Sequence, residues 1–119
     1  MKRILLIVNP VSGKRTSKKL LLNTISELQS NNFELKIIES EYKSHIEKIL
    51  NTYSIKNYYC CCIMGGDGSF HEAINGLMKR LDNFKIPLCL IPAGSGNSLA
   101  RDLNILNFQK AIRNIINGK

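Results

Sequence analysis

Five consecutive apolar residues, Ile4-Leu5-Leu6-Ile7-Val8, leave no polar side chain for either face of an extended segment. A strand of this kind is covered on both sides, which is the habit of parallel sheets flanked by helices. A second apolar run follows at Tyr59-Cys60-Cys61-Cys62-Ile63-Met64. Extended and helical patterns alternate along the whole chain. Strands are predicted over 4–8, 33–38, 58–63 and 87–91. The first helix is predicted over 16–29, with Leu21, Ile25 and Leu28 on one face, and the second over 44–53, with Ile46, Ile49, Leu50 and Tyr53. The third has the clearest periodicity: Phe70, Ala73, Ile74, Leu77, Met78 and Leu81 share one face. A short helix over 98–103 and a last one carrying Phe108, Ala111, Ile112, Ile115 and Ile116 complete the pattern.

This βαβαβαβα order predicts an α/β fold with an open, mainly parallel sheet and helices on both faces. Ligands of such sheets bind beyond the carboxyl ends of the strands. Three glycine-bearing loops follow strands, at 9–13, 65–69 and 94–97, so one edge of the sheet gathers them. The chain shows no repeat, linker or low-complexity tract, and 119 residues suffice for one domain with a real core.

The net charge is +8, and six Lys or Arg fall in the first nineteen residues. Such a balance suits anionic partners: nucleotides, nucleic acid or an acidic membrane. Basic and aromatic residues do not interleave, so nucleic acid is not expected. The cysteines (Cys60, Cys61, Cys62, Cys89) lack CxxC spacing. Consecutive cysteines on a strand alternate sides and cannot converge on one metal. They are expected to be small buried hydrophobes in a reducing compartment, and no metal-ligating residues are assigned. No apolar segment reaches membrane-spanning length. Asn9-Pro10 cuts the N-terminal apolar run short with no small-residue cleavage pattern after it, so a cytoplasmic strand is expected there rather than a signal peptide.

Familiar phosphate loops are excluded. Gly13-Lys14 lacks the Ser or Thr that ends a Walker A loop, and Gly94-Ser95-Gly96-Asn97-Ser98-Leu99 lacks the third glycine of a dinucleotide fingerprint. His71-Glu72 has no second histidine for a zinc helix. What remains is Gly65-Gly66-Asp67-Gly68-Ser69 between a buried strand and a helix. A tight turn needing positive φ would explain some of its glycines. Three glycines with an acid exceed that need, and bare N–H groups at a helix start suit phosphate. A carboxylate beside phosphate is repulsive unless a metal ion or a proton in transit accounts for it. The turn therefore points to phosphoryl chemistry. Asp67 could cap the helix, but Ser69-Phe70-His71-Glu72 reads as a capping box, which frees Asp67 and gives Glu72 a structural alternative. Ser44-His45-Ile46-Glu47 repeats that pattern, and His45 reads as structural. Asn75 reads as satisfying a local partner. Asn9-Pro10-Val11-Ser12-Gly13, followed by Lys14 and Arg15, suits phosphate or ribose, and Ser95 between two glycines suits a phosphate oxygen or water.

The three loops together resemble one known family. Asn9-Pro10-Val11-Ser12-Gly13, the Gly65 turn running into Glu72-Ala73-Ile74-Asn75-Gly76-Leu77, and Pro92-Ala93-Gly94-Ser95-Gly96-Asn97 occur in its order. Over essentially all 119 residues the chain resembles the catalytic N-terminal domain of the diacylglycerol kinase and sphingosine kinase lipid-kinase family. Gly76-Leu77-Met78-Lys79-Arg80 and the 94–100 run look closest to the sphingosine kinase branch. The resemblance implies a fold like the nucleotide domain of phosphofructokinase and NAD kinase, with ATP and Mg²⁺ as cofactors. It implies that Asn9, Pro10, Val11, Ser12 and Gly13 contact nucleotide. Gly65, Gly66, Asp67, Gly68, Ser69, Phe70, His71 and Glu72 would wrap the ATP phosphates, and Gly94, Ser95 and Gly96 would meet ATP through Ser95. Ser40 stands where the family has a threonine upstream of a histidine, here His45. Asp67 is the catalytic candidate, the acid kept near the transferred phosphate and its metal. In some members that acid is the base for the lipid hydroxyl; in others the base lies in the following domain.

Relatives carry a second, mainly β-sandwich domain that supplies the lipid pocket, and this sequence stops at Lys119. The expectation is the N-terminal half of such a kinase, with a C-terminal domain or partner chain supplying the rest. The implied function is transfer of the γ-phosphoryl group of ATP to a lipid hydroxyl, of diacylglycerol, sphingosine or similar, with peripheral membrane contact. The alternative is a truncated, non-catalytic nucleotide-binding module. An NAD kinase-like reading ranks last, since it leaves the 9–13 and 94–97 loops unexplained.

Overall fold

The computed structural model describes residues 2–9 and 14–92, together with Lys110, Arg113 and Asn114, which are helical. The elements are β1 (Lys2–Val8), α1 (Lys14–Ser30), β2 (Phe33–Glu39), α2 (His45–Thr52), β3 (Cys60–Gly65), α3 (Asp67–Met78) and β4 (Leu88–Pro92). All four strands are parallel, in the order β2-β1-β3-β4. The fold is the α/β architecture that the sequence predicts.

The unbroken apolar run of β1 is explained by where it sits. Ile4, Leu6 and Val8 join Cys60, Cys62, Met64 and Ile91 on one face, under Leu28 of α1. Leu5 and Ile7 join Cys61 and Ile63 on the other, under Ile46, Ile49 and Leu50 of α2 and Ala73 and Leu77 of α3. Every β1 side chain from Ile4 onward is thus removed from water, each contributing about 1.5–3 kcal/mol relative to exposure. The edge strand β2 buries only Phe33. Cys60, Cys61 and Cys62 are buried thiols and Cys89 is half-buried; all four are free. Burial pushes the Cys61 thiol up, as expected of a packing residue. Among the described residues no helix is long and apolar enough to cross a membrane.

Most boundaries shift by one or two residues from the sequence reading, and three shifts matter. β3 runs to Gly65, because the ladder continues through Met64 opposite Val8 and Gly65 opposite Pro92. Only Gly66 then separates β3 from α3, so the predicted five-residue turn is a strand end and a helix start. Third, α3 stops at Met78, and Leu81, placed by periodicity on the buried face, is 99% exposed. The cause is Arg80. The residue is 7% exposed, and its Nη1 donates to the carbonyls of Leu50 (2.9 Å) and Tyr53 (2.7 Å) at the end of α2. Satisfying those carbonyls takes the chain out of helical register before Leu81.

The two helices on that face approach closely at Gly76. A Cβ there would press on the Glu47 carbonyl oxygen and lie 3.0 Å from Leu50 Cβ. Gly76→Ala gains about 1 kcal/mol of helix propensity but forces α3 away from α2 backbone. A net loss of about 1–3 kcal/mol is expected. The check is a lower denaturant midpoint at unchanged slope.

Candidate functional site

Parallel strands bring their carboxyl ends to one edge. Here that edge holds Asn9 after β1, Ser40 after β2, Gly66 after β3 and the end of β4 at Pro92. The winding direction reverses at β1, which lies between β2 and β3. A crevice opens at such a switch point, and it is flanked here by Asn9 and the start of α3. The Asn9 N–H donates to the Met64 carbonyl (3.0 Å), carrying the β1–β3 ladder one residue further. The Ser40 N–H donates to the Val8 carbonyl (2.8 Å) and does the same toward β2.

Helix α3 begins at Asp67 with Gly66 as its N-cap, and no side chain caps it. The first bond inside the helix runs from the Phe70 N–H to the Gly66 carbonyl (3.2 Å). The N–H groups of the first turn therefore have no intrahelical acceptor. Gly66 has φ −101°, a value any residue adopts. Neither Gly66 nor Gly68 would bring a Cβ within 4 Å of another described residue. The positive-φ explanation of these glycines thus fails, and so does a packing explanation among the described residues. What their bareness does is leave the helix start open from outside. Gly65 is different. A Cβ there would lie 2.7 Å from Ser69 Oγ and 3.4 Å from Asn9 Cβ.

The capping-box expectation is corrected at both places. Ser69 is the third residue of α3, buried, and its Oγ accepts a hydrogen bond from Asn9 Nδ2 (3.1 Å). A partner sixty positions away has taken the hydroxyl that a local box would use. Ser44 does precede α2, but in the left-handed region (φ 74°) and without a side-chain cap bond. Glu47 instead pairs with Lys79 Nζ at 3.1 Å. His45 is structural as expected: its Nδ1 accepts the Glu41 N–H (2.9 Å), and its ring stacks on Tyr42 with centroids 4.4 Å apart.

A cavity of about 330 Å³ opens at the β2 side of this edge, within the size range of small-molecule sites. Asn9, Ser40 and Glu72 line it, so three of the residues assigned from sequence meet in one place. Tyr42, Lys43 and Ile46 line it too, with Glu41, and sequence reasoning did not assign them. The signal was available: β2 ends at the same edge as the others, but its loop lacks the glycines that marked the rest. Among the other assigned residues, Asp67 and His71 are exposed, whereas the Phe70 side chain packs into the core under α2 and α3. Pro10, Val11, Ser12, Gly13, Gly94, Ser95 and Gly96 lie outside the described residues, as do the predicted helix over 98–103 and most of the last helix.

A nucleotide with its metal fits this donor set. Open first-turn N–H groups suit phosphate. Mg²⁺ is usually held by one or two carboxylates together with substrate phosphates, and Asp67 offers one exposed carboxylate at the helix start.

Over residues 3–119 the chain matches the family described as the diacylglycerol kinase catalytic domain. Sphingosine kinase 1 of Arabidopsis thaliana is 34% identical over 86% of this chain and 22% of that protein. Sphingosine kinase 1 of Mus musculus is 34% identical over 86% of this chain and 28% of its own length. Among solved structures, a diacylglycerol kinase from Bacillus anthracis str. Sterne superposes with a TM-score of 0.71 and 28% identity. That match covers 99% of this chain and 40% of the other. The chain thus spans about a quarter of the length of these curated relatives.

Proposed function

Because the chain belongs to the diacylglycerol kinase catalytic domain family, we propose that it binds Mg-ATP at its strand ends. In this reading residues 1–119 form the nucleotide-binding part of a lipid kinase that transfers the γ-phosphoryl group to a lipid hydroxyl. The observation that carries the reading is the pair Gly66 and Gly68. They stand at an uncapped helix start, required by neither φ nor packing among the described residues, and Glu72 of the same helix lines the cavity. Their N–H groups and those of Asp67 and Ser69 hold phosphate. The nucleoside lies toward the cavity lined by Asn9, Ser40, Tyr42 and Glu72. Mg²⁺, when bound, offsets phosphate charge and leaves the terminal phosphorus open to attack. Asp67 would orient the acceptor hydroxyl and take its proton, or would help to hold the metal. Positioning and electrostatics supply most of the rate in phosphoryl transfer. A lipid acceptor makes contact with a membrane surface part of the proposal, and a net charge of +8 suits an anionic leaflet.

The test pairs Mg-ATP calorimetry with transfer of labelled γ-phosphate to diacylglycerol and to sphingosine. Gly68→Ala sharpens it. Alanine in the first turn of α3 costs the fold nothing and can add about 0.5–1 kcal/mol of stability. Its methyl group stands where phosphate would approach, so Mg-ATP affinity is expected to fall about tenfold or more while the melting temperature holds or rises. Unchanged affinity would overturn the phosphate site. Binding without transfer to either lipid would leave a nucleotide-binding module in place of a kinase.

A further inference from the structure

We propose that the Ser69 side chain is a positioning group, which together with Asn9 and Gly65 fixes the phosphate-binding turn and does not itself touch the nucleotide. This rests on the Mg-ATP reading above. Ser69 is 5% exposed, and its hydroxyl oxygen accepts the Asn9 amide at 3.1 Å. That bond ties the end of β1 to the first turn of α3 across the switch-point crevice. Gly65 lies beneath it at the end of β3. Any side chain there would meet Ser69 Oγ at 2.7 Å and Ser69 Cβ at 3.0 Å. Two strand ends and a helix start therefore interlock through three small side-chain positions. The N–H groups of 66–69 take their place in space from this interlock, because no cap residue orients them from the loop side.

The consequence is a division of roles within one turn. Gly66 and Gly68 face outward with open space around them, and Ser69 faces inward. A residue in the middle of the phosphate loop thus acts on the ligand only through the backbone it holds. Gly65 belongs with Ser69 in this respect, although sequence places it with the other glycines. Asn9 joins two roles, since it lines the cavity and also donates to Ser69.

The experiment is a double-mutant cycle on the full chain with Ser69→Ala, Asn9→Ala and the pair. It is read by Mg-ATP calorimetry, melting temperature and amide exchange at Phe70, the first residue bonded inside α3. Ser69→Ala is expected to weaken Mg-ATP about fivefold and to speed Phe70 exchange by a similar factor. The double variant should bind no more weakly than Asn9→Ala alone, because the bond is already lost there. Additive losses would mean that Ser69 meets the ligand independently of Asn9, and would overturn the proposal. So would unchanged affinity in Ser69→Ala, or a lowered melting temperature with wild-type affinity in the folded fraction. If the unmutated chain fails to bind Mg-ATP, the nucleotide reading falls. Phe70 exchange then decides the interlock by itself, and an unchanged rate in Ser69→Ala overturns it.

Discussion

Asp67→Asn is expected to lower phosphoryl transfer to lipid by about a hundredfold or more while leaving Mg-ATP affinity within a few fold. The fold should tolerate the change. Asp67 is the exposed first residue of α3 and caps nothing, and losing one negative charge at a helix start costs only about 0.3–1 kcal/mol. A large loss of turnover would therefore report on chemistry. The affinity measurement carries a change of sign. Without metal, the Asp67 carboxylate repels the phosphates, so the Asn variant should bind free ATP more tightly than the wild type. With Mg²⁺ that advantage should vanish or reverse, because the carboxylate now has a cation to meet. Titrations with ATP in excess Mg²⁺ and in a chelator give the comparison. An acid present only because acids are favourable at helix starts would leave the difference between variant and wild type the same in both titrations. Unchanged turnover in the variant would remove Asp67 from the reaction.

The parts of this fold legible in the sequence are those set by period and burial. The run from Ile4 to Val8 could only be a doubly covered strand, and it lies at the centre of the sheet, flanked by β2 and β3. The edge-gathering of strand ends followed from topology alone, and Asn9, Ser40 and the Gly66 turn do share one edge. What failed were local motifs that a distant partner reassigns. Ser69-x-x-Glu72 has the form of a self-contained cap, yet its hydroxyl is bonded by Asn9. The apolar spacing to Leu81 promised another turn of helix, but Arg80 is drawn to carbonyls thirty residues back. Neither competitor is visible within a local window, because each exists only after β1 packs beside β3, or α2 beside α3. Tyr42 and Lys43 were missed for another reason: a pocket wall made of ordinary side chains has no compositional signature.

Arg80→Ala is expected to be the most destabilising single change among the described residues, by about 3–5 kcal/mol. The guanidinium makes four bonds: Nη1 to the Leu50 and Tyr53 carbonyls, and Nε and Nη2 to the two oxygens of Asp82. The carbonyl bonds end α2, the helix that supports the cavity wall through Ile46. Alanine takes this donor from the buried Leu50 carbonyl and the half-buried Tyr53 carbonyl, and a hydrogen bond to a charged group is worth about 1.5–3 kcal/mol. Against a total stability of about 5–15 kcal/mol, that is a substantial fraction. The pH dependence separates the two halves of the arrangement. The Arg80 guanidinium, with the Phe84 N–H, holds the Asp82 carboxyl well below the usual carboxylate range. A group whose folded value is depressed adds stability above its unfolded value, near pH 4, and loses it as the pH falls toward the folded value. The gap in stability between wild type and Arg80→Ala should therefore narrow on acidification below about pH 4. It should not close, because the Leu50 and Tyr53 carbonyls do not titrate. Denaturant midpoints at pH 7 and pH 3 for both proteins measure this. A gap that disappears at pH 3 would assign the whole effect to the Arg80–Asp82 ion pair. A gap that does not change would mean that Asp82 contributes nothing beyond the carbonyl bonds.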